Sequence, residues 1–127
     1  MTFQQFKDKY QDYLVTVRRR FHESPELSME EKETSRFIVA EVEACGLPYE
    51  MAGDYGVIAV VQGTKPGMGR NVLLRADIDA LPIQEDANNL AGPKNSCSKV
   101  PGVGHLCGHD AHTAMMLAVM QELTAIR

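Results

Sequence analysis

The segment from Gly102 to Met116 reads GVGHLCGHDAHTAMM and holds the densest set of reactive side chains in the protein. His105, Cys107, His109, Asp110 and His112 crowd together there, and the one histidine elsewhere is His22. Imidazoles and thiolates bind transition metals or move protons. Cys107-Gly108-His109 admits three chemistries. A thiolate and an imidazole two residues apart can share one borderline ion such as zinc. Cys107 could instead be a nucleophile activated by an imidazole. Or the turn could simply bury an inert cysteine. Asp110 and His112 tip the balance towards metal, because a carboxylate is the usual partner of a ligating histidine. Two ligands do not close a site that takes at least three from protein, so the others must come from elsewhere.

A second segment, Arg75-Ala76-Asp77-Ile78-Asp79-Ala80-Leu81-Pro82, carries two carboxylates at i and i+2. Extended backbone puts such a pair on one side. Metal support or proton handling is one reading; a strand-ending turn whose aspartates bond their own backbone is the plainer one. His22 reads as structural, at a helix end near the favourable C-terminal dipole. For His105 and His112, ligand, substrate-contact and hydrogen-bonding roles stay open. Cys45 belongs to a helix stripe, and Cys97 is a free thiol in a loop.

The elements that must position these groups can be read from periodicity. Phe3, Phe6, Tyr10, Leu14, Val17 and Phe21 recur every three or four residues and predict a helix from Phe3 to His22, ended by Ser24-Pro25. Ser28 with Glu31 has the capping-box pattern. The helix it announces buries Thr34, Phe37, Ile38, Val42 and Cys45, and Gly46 and Pro48 end it. Val57–Val61 and Val72–Leu74 are unbroken apolar runs of the kind found in buried strands. The Gly63–Gly69 loop is expected to join them as a hairpin, with a weaker strand over Tyr49–Met51. Residues 82–102 read as one long loop, of a length usually tied to function or mobility. An apolar helix, Thr113–Ile126, closes the chain with methionines 115, 116 and 120 at packing positions. The order of elements predicts an α/β fold with three layers. Few strands have appeared by Arg127, so the chain reads as the front of a larger domain.

The 127 residues suffice for one small core, and 44% apolar with 24% charged residues is ordinary for a globular protein. The net charge of -4 argues against nucleic acid or an anionic membrane as partner. The run Arg18-Arg19-Arg20 reads as a solvated helix face. No apolar run approaches the ~20 residues of a membrane span. The polar N-terminus predicts no signal peptide, and three sparse cysteines predict reduced thiols in the cytoplasm.

Taken together, three ordered segments resemble the M20 metallopeptidase family, and within it the branch of hippurate, N-acyl-amino-acid and auxin-conjugate hydrolases. They are Arg19–Leu27 (RRFHESPEL), Arg75–Pro82 (RADIDALP) and His105–Ala114 (HLCGHDAHTA). Such a set is far more specific than any one motif. The resemblance implies the N-terminal part of a three-layer zinc-peptidase-like catalytic domain, occupying residues 1–127 with an incomplete sheet and covering helices. It implies a metal-dependent amidohydrolase that cleaves N-acyl amino acids or peptide-like substrates by metal-activated water, with two divalent ions, Mn or Zn, per complete site. Cys107 and His109 then match metal ligands, and Asp79 the acidic residue that orients the site; Asp110 falls near a metal-bridging position of other branches. The family's general-base glutamate, its remaining ligands and its lid and dimerisation domain, which would allow a homodimer, have no matching positions here. The 127-residue chain alone is therefore expected to be inactive. The alternative expectation is a non-catalytic piece or a small metal-binding or interaction module.

Overall fold

A capping box starts the first helix. Thr2 Oγ1 accepts from the Gln5 amide at 3.3 Å, and Gln5 Oε1 accepts from the Thr2 amide at 2.8 Å. In the computed structural model, which describes residues 1–67 and 69–127, this helix (α1) runs Phe3–Glu23. Its predicted stripe is buried at Tyr10, Val17 and Phe21, whereas Phe3 in the first turn stays exposed.

The second helix (α2) spans Lys32–Ala44. Ser28 does not cap it. Glu26 does: its carboxylate accepts from the amides of Glu33 at 3.0 Å and Thr34 at 2.7 Å. A carboxylate fits there because the first helical amides are unpaired and the helix N-terminus is positive. At the other end Gly46 adopts φ 64°, and the amides of Gly46 and Leu47 bond the carbonyls of Glu43 and Val42. This Schellman turn is the reason a glycine stands there.

Strands β1 (Tyr49–Ala52) and β2 (Gly56–Ala59) form an antiparallel hairpin, with Tyr49 opposite Ala59. The weak strand predicted at Tyr49 is thus real and takes β2 as its partner. The expected pairing of Val57–Val61 with Val72–Leu74 does not form. Residues 72–74 lie outside any strand and are 80%, 88% and 54% exposed. A strand needs a neighbour for its backbone groups. β2 finds one a tight turn away, and residues 72–74 find none among the described residues. Of the loop expected to join the two runs, Met68 lies outside those residues. The long segment 82–102 carries a very short hairpin, β3 (Asn88–Asn89) with β4 (Gly92–Pro93).

The third helix (α3) spans His109–Ile126 and so begins four residues before the predicted Thr113. It packs along α1, where Ala114 and Ala118 are buried and let the backbones approach. Glu122 is buried on the same face, and Lys9 Nζ and Tyr10 Oη donate to it at 2.6 and 2.9 Å. Met120 is buried as expected, whereas Met115 is exposed. One core cluster joins the three helices: Val17 and Phe21 of α1, Ile38 and Val42 of α2, and Ala114, Leu117 and Met120 of α3, with Leu47. The architecture is the predicted mixture of helices and strands, with its sheets reduced to two-stranded pieces. No helix among the described residues is long and apolar enough to cross a membrane.

Candidate metal half-site

Two isolated bridges draw the three sequence motifs together. Leu27 pairs with Ala80 in parallel, and Leu81 pairs with Gly104 in antiparallel fashion. The Ala80 amide donates to the Glu26 carbonyl at 2.8 Å, and Leu81 and Gly104 exchange two bonds of 3.0 Å. Gly104 suits this contact, since a Cβ there would stand a tight 3.3 Å from the Ile83 carbonyl oxygen. The stretch holding Asp79 therefore runs between the end of the first motif and the start of the third.

The chain then turns into α3 through Gly108, whose φ of 84° disfavours any residue with a Cβ. His109 opens the helix, and its Nδ1 lies 3.0 Å from both Oδ1 and the carbonyl oxygen of Asp79. A carbonyl oxygen can only accept, so Nδ1 carries a proton, and in the neutral ring Nε2 presents its lone pair. That is the tautomer a metal-ligating histidine needs, oriented by the usual carboxylate partner. Thr113 Oγ1, one turn on, donates to the carbonyls of His109 and Asp77 and anchors the same turn.

Cys107 is exposed, and its thiol makes no hydrogen bond among the described residues. A soft thiolate and an Nε2-presenting imidazole suit zinc or a similar divalent ion. Among the described residues no three His, Cys, Asp or Glu side chains are grouped to hold a metal. What is present is a candidate pair, Cys107 and His109. It borders an open groove of about 780 Å³ whose lining includes Asp79, His109, Ile58, Leu73, Leu74 and Leu117.

The remaining candidates disperse. Asp77 and Asp79 do not act as a pair: the Asp77 carboxylate takes Arg75 at 2.6 Å on the surface, while Asp79 turns to His109. His112 is exposed, its ring 6.2 Å from that of His109. His105 is buried with neither ring nitrogen bonded, and burial pushes its pKa down. Asp110 is fully buried and points away from solvent into a cluster that sequence reasoning missed. Its Oδ2 accepts from Arg18 Nε at 2.7 Å and lies 2.7 Å from His22 Nδ1. His22 Nε2 lies 2.8 Å from Glu85 Oε1. Glu85 is buried in turn. Burial alone would raise its pKa, but the Ser98 amide, Lys94 and His22 together hold it down to about 2. Arg18 and His22 are one helical turn apart, which hinted at a shared partner; nothing in the loop sequence singled out Glu85.

Comparison with known proteins places these features. Residues 73–127 match the pattern of peptidase family M20/M25/M40. The chain is 41% identical over 117 residues to IAA-amino acid hydrolase ILR1-like 5 of Arabidopsis thaliana, covering 92% of this chain and 25% of that protein. It is 38% identical over 121 residues to the N-acyl-L-amino acid amidohydrolase of Geobacillus stearothermophilus, covering 94% and 31%. The crystal structure of the Bacillus subtilis YXEP protein, a dinuclear metal-binding peptidase of the M20 family, superposes with a TM-score of 0.77 at 36% identity. That match covers 99% of this chain and 33% of the other. The chain thus spans about a quarter to a third of the length of these relatives. Its motifs, its fold and its relatives agree in likening the chain to a part of the proteins of peptidase family M20/M25/M40.

Proposed function

We propose that residues 1–127 form the N-terminal part of the catalytic domain of a cytoplasmic, metal-dependent amidohydrolase that cleaves N-acyl amino acids. Cys107 and His109 are its metal ligands on this part, and Asp79 orients His109. The observation that carries the reading is the Asp79–His109 contact, which leaves Nε2 free to bind. The exposed run Val72–Leu74 supports the domain assignment, because adjoining strands of a complete sheet would cover it. The named activities of the relatives support the substrate class.

A divalent ion, Mn or Zn, two per complete site, supplies Lewis acidity when bound, lowering the pKa of water and polarising the scissile carbonyl. The chain's own part is to hold and aim. Asp79 keeps the proton on Nδ1, Thr113 ties the first turn of α3, and Gly108 lets Cys107 and His109 emerge on either side of a sharp bend. A homodimer belongs to the complete protein on this reading, not to the part described.

The test is elemental analysis of the purified chain and of Cys107→Ala after incubation with zinc or manganese, alongside an assay with N-acetyl amino acids. Weak, stoichiometric metal that is lost in the variant, with no hydrolysis, is the expected result. Metal retained undiminished by Cys107→Ala, or turnover by the chain alone, would overturn the assignment. A cysteine nucleophile finds no support in the structure, since no imidazole bonds the Cys107 thiol among the described residues.

A further inference from the structure

His22 and Arg18 stand one turn apart near the end of α1, and both reach the first turn of α3. Arg18 Nε and His22 Nδ1 converge on Asp110 Oδ2 at 2.7 Å each, which brings Arg18 Nη2 to 2.9 Å from Nδ1. On the other edge of the ring, Nε2 meets Glu85 Oε1 at 2.8 Å, and Lys94 Nζ reaches the same oxygen at 3.0 Å. The Ser98 amide donates to the second Glu85 oxygen at 2.6 Å. His22, Asp110 and Glu85 are 3%, 1% and 7% exposed.

Both edges of the ring face a buried carboxylate. Asp110 is ion-paired to Arg18, and Glu85 to Lys94, so both oxygens that face the imidazole only accept. The ring can donate to either carboxylate, and Arg18 Nη2, 2.9 Å from Nδ1, offers that nitrogen a donor as well. The result is a buried ladder of contacts: Arg18, Asp110, His22, Glu85, Lys94. Removing its middle member would leave two carboxylates buried and facing a gap, a costly arrangement. The ladder ends beside the half-site: Asp110 directly follows His109, and its fixed position sets the first turn of α3. Asp79 aims the His109 ring from one side, while the ladder holds the His109 backbone from the other.

We propose that His22 is a positioning residue for the metal half-site: clamped between Asp110 and Glu85, it holds the entrance of α3 where His109 meets Asp79. Only the metal readout of this proposal rests on the function proposed above. The His109–Asp79 contact can be followed without metal.

The experiment is nitrogen-15 NMR of the histidine rings in the metal-free chain, followed by Co(II) titration. His22→Gln places an amide carbonyl or a lost donor opposite one carboxylate. It should shift or broaden the His109 Nδ1–H signal and weaken Co(II) binding at least tenfold. Adding Glu85→Gln supplies a donor opposite that carbonyl and should recover a substantial share of both. Val42→Ala, in the core away from the ladder, is the control for general destabilisation and should leave the His109 signal in place. An unmoved His109 signal in His22→Gln overturns the proposal. So does an equal disturbance by Val42→Ala. If the wild type binds no Co(II), the metal reading fails by itself, and the His109 signal still decides the role of His22.

Discussion

His109 Nδ1 and the Asp79 backbone carbonyl lie 3.0 Å apart, and Asp79 Oδ1 stands at the same distance. One residue thereby fixes the tautomer twice, through an acceptor that cannot be protonated and through one that carries charge. Asp79→Asn would keep the carbonyl bond and remove the charge, and so should keep the tautomer while making Nε2 a weaker donor to metal. Such outer partners are generally worth 10- to 100-fold in metal affinity. We expect Asp79→Asn near the low end of that range and Asp79→Ala nearer the high end, measured by Co(II) titration of the chain. Equal affinity in all three proteins would show that Asp79 does not tune the ligand.

Glu85 makes stability depend on acid. Its folded pKa, about 2, lies below the ordinary value of 4.5. A depressed carboxylate contributes stability that is complete above 4.5 and drains away as pH falls towards 2. Thermal melts from pH 7 to pH 2 on wild type and Glu85→Gln should therefore converge. The wild type should be the more stable at neutral pH, with the gap closing mainly between about 4.5 and 2. A constant gap across that window would show that Glu85 is not held ionised in the fold.

Gly108 bears a different constraint. At φ 84°, an alanine would carry a left-handed backbone cost of about 1 to 2 kcal/mol. No neighbouring atom obstructs a Cβ there, so the loss is one of conformation and not of space. Gly108→Ala should lower the melting temperature, and it should weaken metal binding more than an equally destabilising core change such as Leu117→Ala. Equivalent metal affinity in the two variants would separate the turn from the site.

Much of this was legible in the order of residues. The stripes of α1 and α2, the Gly46 stop, the three motifs and the metal-prone chemistry of Cys107 and His109 are local, set by periodicity, capping and side-chain type within a few residues. The tertiary structure decided the partnerships. His109 finds Asp79 across 30 residues, and His22 finds Glu85 across 63 and Asp110 across 88. Glu26, not Ser28, caps α2, and Val72–Leu74 stays outside any strand despite its apolar run. In each case the residue type was suited to several partners. Which one it met depended on where a loop crossed the helices, and that follows from the packing of α1 against α3 and the bridges at Ala80 and Leu81. Local propensity carries no record of that crossing.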